Sequence, residues 1–236
     1  MKRTLVPAIL LGLVVSFSTA GPANAQNLLT NPDFTANLDG WTLPPVAATT
    51  HDAATGAASG PGSALWTKTI AGATPAAERA VVFQCVNGIM SGETYDFGGA
   101  VAIDTAPAGG SASMAIAFNS GGDCSGLELE LHAAPPVTDT GPFDFVSHSV
   151  VAPPATASAT VGVIAGVAPV GPGLVDSGDL TFVTGDYVLH VDDMFLLTQT
   201  PVPTIGTLWL IVMTLALIVS AAATLRRRHL RRRIAL

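Results

Sequence analysis

The sequence predicts an all-β sandwich over residues 26–197. Short segments in which apolar and polar residues alternate with period two recur along this part, and clusters of Gly, Pro, Ser and Asp separate them. No stretch of it carries a helical period with caps. A span of about 170 residues is enough for one such domain with its own core.

The strands follow in order. Residues 27–34 and 64–70 come first, then 79–86, 93–103 and 112–119. Leu127-Glu128-Leu129-Glu130-Leu131 is the clearest alternation, with leucines expected on one face and glutamates on a wet one. Residues 143–151, 156–165 and 187–197 complete a set of about 8–9 strands. Turn chemistry falls between them: Asn87-Gly88, Ser91-Gly92, residues 107–110, Ser120-Gly121-Gly122-Asp123, Pro135-Pro136 and Pro153-Pro154. Residues 169–185 are rich in Gly and Asp and read as a surface loop, with a short strand expected at 180–183.

Both termini carry targeting signals. Lys2 and Arg3 precede an apolar stretch and then small residues, and Ala23-Asn24-Ala25 offers a cleavage site before Gln26, so residues 1–25 read as a secretory signal peptide. At the other end a linker, 198–203, leads into an uncharged apolar run, 204–225. At 1.5 Å per residue that run is about 33 Å long, enough to cross a hydrocarbon core of roughly 30 Å. Arg226, Arg227, Arg228, Arg231, Arg232 and Arg233 follow in the tail, 226–236, and hold that end in the cytoplasm. The reading is a single-pass membrane protein with its sandwich outside.

Charge is divided along the chain. The part between the signals carries all 17 acids against two bases, Lys68 and Arg79, a net charge of −15. Phosphate binding needs a basic face, so a nucleic-acid partner is excluded. Cys85 and Cys124 are the only cysteines, and an even pair this far apart in an oxidising compartment reads as a structural disulfide. Neither C-x-x-C spacing nor a neighbouring histidine supports a metal site there.

No catalytic constellation emerges. The sequence holds no nucleophile elbow, H-E-x-x-H, P-loop or dinucleotide glycine pattern. His51, His132, His148 and His190 are scattered singly; His190 and Asp192, two apart on one strand, share a face where a metal contact is conceivable. Glu128 and Glu130 are better read as a solvated strand face than as a glycosidase pair.

Two resemblances sharpen the reading. Asn27-Leu28-Leu29-Thr30-Asn31-Pro32-Asp33-Phe34, then Leu38-Asp39-Gly40-Trp41, resembles the opening of the galactose-binding-like jelly rolls that include many carbohydrate-binding modules. Val191-Asp192-Asp193-Met194-Phe195-Leu196 resembles their closing strand. The resemblance implies a jelly roll that acts by contact with glycans through exposed aromatic platforms. Trp41 is assigned to the core, which leaves Trp66, Tyr95 and Tyr187 as platform candidates. It also implies a structural calcium held by Asp192 or Asp193, with Asp33 contributing because Thr35 stands where relatives often carry Glu.

Val202-Pro203-Thr204-Ile205 with Trp209, the span and the arginines resemble the IPTL-type relatives of PEP-CTERM sorting signals. That implies an exosortase-like processing protease as a partner, a permanent membrane anchor being the alternative. The functional expectation is a non-catalytic bacterial surface protein binding glycans in the envelope or matrix. The alternative is a structural or adhesive protein using the jelly roll as a protein-contact scaffold, which burial of the three rings would favour. Mass spectrometry of the protein recovered from its native envelope is expected to find Gln26 at the N-terminus.

Overall fold

A computed structural model describes residues 26–44, 49–71, 80–169, 171–176, 180–181 and 183–199. The signal peptide, most of the linker, the span with Trp209, the motif at Val202, Pro203, Thr204 and Ile205, and the arginine tail lie outside the described residues. Among the described residues no helix is long and apolar enough to cross a membrane.

The described chain forms two five-stranded antiparallel sheets, face to face. The strands are β1 (Thr49–Asp52), β2 (Ser63–Ile70), β3 (Ala80–Asn87), β4 (Thr94–Thr105), β5 (Ser111–Asn119), β6 (Glu128–Ala133), β7 (Asp144–Val151), β8 (Ser158–Val167), β9 (Gly173–Val175) and β10 (Gly185–Thr198). The first sheet runs β1-β2-β10-β4-β7 and the second β3-β8-β5-β6-β9. Alternation decides which side chains face inward. Trp66 and Ile70 of β2, Tyr95, Phe97, Val101 and Ile103 of β4, and Tyr187, Leu189 and Val191 of β10 enter the core from the first sheet. Met114, Ile116 and Phe118 of β5 and Val161 and Val163 of β8 meet them from the second.

β10 keeps its inward set only by breaking step. Its register against β4 shifts between Asp192 and Phe195, and Asp193 adopts φ 47°. Beyond this bulge Met194 and Leu196 face inward, and Phe195 faces outward. Only the N-terminal half of β10 pairs with β2. Alongside the rest, Asn27 makes an isolated bridge to Leu197. The Asn27 side chain donates to Met194 O at 2.9 Å and accepts from Leu196 N at 3.0 Å, doing the work of a missing strand.

Several expectations are corrected. Residues 27–34 form no strand, because Asn31 and Phe34 sit at positive φ and turn the chain. Phe34 is nonetheless fully buried, with its ring centroid 5.1 Å from that of Trp41, whose Nε1 donates to Asn31 O at 2.9 Å. The leucines of β6 do not share one face. Its register against β5 shifts between Phe118 and Asn119, so Leu129 packs on the core, Leu131 opens outward and Leu127 is 75% exposed. Glu130 pairs with His132 at 2.8 Å. β1 and β9 were not anticipated, being too short to show alternation. No strand is assigned at 180, 181 or 183, although Ala168 N donates to Thr181 O and Val183 N to Gly166 O.

The disulfide is present. Cys85 on β3 joins Cys124, 39 residues on, in a short 3-10 turn (Gly122–Cys124). The turn holds Asp123 and Cys124 at φ 56° and 57°, and backbone donors at these residues reach Asn87 Oδ1 (2.8 Å) and Ser158 Oγ (3.0 Å). Closing a loop of this size removes about 4 kcal/mol of unfolded-chain entropy. A Cys85→Ala/Cys124→Ala chain is expected to lose about 2–4 kcal/mol in denaturant unfolding.

Candidate functional site

The three platform candidates are core residues. Trp66 is 0% exposed and Tyr187 1%, with ring centroids 6.0 Å apart, and Tyr95 is 2% exposed. Tyr187 Oη donates to Val183 O at 3.1 Å, and Tyr95 Oη accepts from Met90 N at 2.9 Å. A buried ring cannot stack on a sugar, so the platform role is ruled out for all three. The sequence held the signal: Tyr187, Leu189 and Val191 share a parity, as do Tyr95 and Phe97, and each aromatic goes where its apolar partners go.

The acidic residues nominated for calcium gather at one corner, each with donors of its own. Asp192 is fully buried; its Oδ2 accepts from Ala57 N at 2.6 Å and its Oδ1 from Asp193 N at 2.7 Å. Asp193 Oδ2 accepts from Ala58 N at 3.0 Å and Ser59 N at 3.2 Å. Asp33 Oδ1 accepts from Thr35 N and Oγ1, both at 3.4 Å. Among the described residues no three acidic, histidine or cysteine side chains converge to hold a metal ion. These carboxylates serve as acceptors for loop N–H groups. Desolvation, abetted by the like charges of Asp193 and Asp33, pushes the Asp192 carboxyl up from 3.8 to about 6 against the pull of its two N–H donors.

A second cluster on the outer face of the first sheet was not anticipated as a unit. His190 of β10 places Nδ1 2.9 Å from Ser63 Oγ of β2 and 3.7 Å from Asp52 Oδ2 of β1, and Nε2 3.2 Å from Asp104 Oδ2 of β4. Phe143 meets the imidazole edge-on, with centroids 6.4 Å apart. Serine, imidazole and carboxylate in series could make a nucleophilic relay, but Ser63 has no exposed surface for a substrate to reach. The cluster instead ties four adjacent strands across their outer face. His190 and Asp192 turn to different partners.

An open concavity lies on the outer face of the second sheet. Its floor is Ala115 and Ala117 of β5 with Thr160 and Gly162 of β8, and its walls are Phe83 of β3 and Leu131 of β6. Pro44, Leu180 and Glu128 stand at the rims, around about 360 Å³. Small residues on the central strands and large ones on the flanks make the sheet a trough. Gly162 is required there, because a Cβ would lie 2.9 Å from that of Phe83 and would strike Val82 O. Sequence reasoning passed over it because Ala, Gly and Thr on alternate strand positions read as weak strand, with no chemistry attached.

Two five-stranded antiparallel sheets closed over one core define a β-sandwich domain. No family model matches the chain, and no curated protein matches it. Solved structures do. The C-terminal family 22 carbohydrate binding module of Clostridium thermocellum Xyn10B aligns with 75% of this chain and 98% of its own at 15% identity, with a TM-score of 0.52. The tandem CBM22-1–CBM22-2 domain of Paenibacillus barcinonensis Xyn10C gives 14% identity and 0.52 over 77% of this chain and 51% of its own. A xylan-binding domain from CBM 22 gives 13% and 0.50, over 74% and 97%. The chain spans between 21% and 51% of the length of the first three structures it matches. At such identities the likeness establishes the fold.

The raised Asp192 carboxyl couples folding to pH. In the folded protein it binds a proton that the unfolded chain releases between pH 4 and 6, so its contribution to stability is present below that window and lost as pH rises through it. Denaturant midpoints measured with a chelator are expected to fall across this range, and to fall less in Asp192→Asn. Added calcium is expected to leave the profile unchanged; a saturable rise would show that backbone carbonyls complete a cation site.

Proposed function

We propose that this chain is an exported, non-catalytic bacterial surface protein whose carbohydrate-binding-module-like domain serves as a protein-contact scaffold in the envelope or extracellular matrix. Residues 1–25 direct export. The span at 204–225 anchors the domain until an exosortase-like protease acts on the segment around Pro203-Thr204. One observation carries the contact reading: Trp66, Tyr95 and Tyr187, the three rings nominated as sugar platforms, are core residues, and among the described residues the trough is lined by apolar side chains with Thr160 and Glu128 its only polar ones. A glycan brings hydroxyls that lose water on entering such a site and need partners there. An extended peptide presenting apolar side chains on one face suits the trough. The domain's net charge of −15 favours a neutral or basic partner over an acidic one.

A second reading, glycan binding, is favoured by Phe83, the one aromatic on the trough wall among the described residues, and by the likeness to a xylan-binding domain of the same fold. Retention of the full chain on insoluble xylan and on envelope polysaccharide separates the two. The contact reading expects no retention by wild type. Retention that disappears in Phe83→Ala would replace it with the glycan reading. Protease applied to intact cells is expected to digest the sandwich while leaving the arginine tail protected; protection of the whole chain would overturn export.

A further inference from the structure

Three of the four sheet edges are blunted. β1 offers four residues and β9 three. β3 is longer, but Thr42 exchanges two backbone hydrogen bonds with Phe83 at 2.8 and 3.1 Å, and the disulfide with the Asp123–Asn87 bond fastens the strand near its far end. Short or covered edges are how sheets avoid pairing with other chains. β7 has no such protection. Its eight residues pair with β4 without a register shift, contain neither Pro nor Lys, and among the described residues pair with β4 alone.

The orientation of its open edge follows from the residue next to it. Ala152 N donates to Glu93 O at 2.9 Å and Ala152 O accepts from Gly92 N at 2.8 Å, so the polar groups of Ala152 face the β4 side. Orientation alternates along an antiparallel strand, so the N–H and C=O of Phe145, Ser147, Ser149 and Val151 face the open side. The same four side chains lie on the outer face of the sheet. Phe145 is 65% exposed and Val151 54%. The Phe145 ring is already positioned, stacked on Phe195 at 5.6 Å with 11° between planes. Phe195 in turn lies over Gly98, where a Cβ would come within 2.8 Å of its ring. Ser149 donates to Asp96 and is likewise fixed.

Charge selects this strand again. Two copies of a domain with 17 acids against two bases repel over most of their surfaces, whereas β7 carries one acid, Asp144, at its very start.

We propose that two copies of this chain pair antiparallel along β7 about a two-fold axis, joining their first sheets into one continuous sheet. One register uses every outward N–H and C=O of the strand, and it sets His148 opposite the partner's His148. That register places Val151 opposite the partner's Phe145 and Ser147 opposite the partner's Ser149. Exposed apolar side chains then cover each other twice, once on each side of the axis. The two Asp144 residues lie at opposite ends of the paired strands, away from each other. The trough is on the other sheet and stays open, so this pairing and the proposed use of the trough stand or fall separately.

Sedimentation of the full chain in density-matched detergent tests the pairing. Wild type is expected as a dimer. Ser147→Pro removes an outward N–H that the monomer does not use, and Val151→Lys sets a charge against the partner's Phe145. Both are expected to sediment as monomers with thermal melting unchanged. His148→Cys is expected to form a disulfide-linked dimer on oxidation, which reports the register even if another variant folds poorly. A wild type that stays monomeric throughout its soluble range, or a dimer that survives both substitutions, would overturn the proposal. Failure of the His148→Cys cross-link in a protein that still dimerises would overturn the register.

Discussion

Everything in this sandwich depends on the hydrogen-bonded ladder of β10. It is the last strand in sequence and an interior strand in space, between β2 and β4 over its first half and between Asn27 and β4 over its second. From it Tyr187, Leu189, Val191, Met194 and Leu196 fill the core, while His190 and Asp192 gather the strands and loops of the outer face. The bulge near Asp193 reconciles these tasks: without the extra residue, either Met194 and Leu196 or Tyr187 and Leu189 would face water. The loop at 57–59 is fixed by the same device, since its N–H groups end on the carboxylates that flank the bulge.

The sequence was most legible where apolar residues alternate over long strands. β2, β4, β5, β8 and β10 could be placed because Trp66, Phe97, Met114, Val161 and Leu189 each sit among apolar residues of the same parity. It was least legible where side chains take over the role of backbone. Residues 27–34 look like a strand, but Leu29 and Phe34 are buried without strand alternation, and the amide of Asn27 and two residues at positive φ replace the ladder. A single bulge misled the reading of Leu127 to Leu131, since alternation predicts a face only while register holds. Trp66, Tyr95 and Tyr187 were misjudged for a related reason. Aromatic residues serve equally as core and as sugar platform, and parity with neighbouring aliphatics was the better guide. The trough escaped notice because it is a property of small residues on adjacent strands, which only the sheet order brings together.

The fold is shared with carbohydrate-binding modules, while Trp66, Tyr95 and Tyr187 lie in the core. The trough has the shape of a binding surface and an apolar lining. Glu128 stands at its rim, whereas the His190 cluster lies on the outer face of the first sheet and Asp192 at its corner, each engaged with neighbouring side chains or backbone. Even the serine–histidine–aspartate series is inward-looking, its hydroxyl closed off by the strands that it links. Several polar side chains organise the outer layer, and the trough is left mainly to apolar residues.

The position of β10 also bears on mechanics. Thr198 ends the strand just ahead of the segment read as the membrane anchor, so tension between the membrane and anything held by the domain would enter through an interior strand, along its axis. Drawing out an edge strand from its end opens hydrogen bonds one after another. Sliding an interior strand past two neighbours strains many of them together, and the force needed rises accordingly. A domain attached in this way would resist being pulled apart at the point where drag on a surface protein would act.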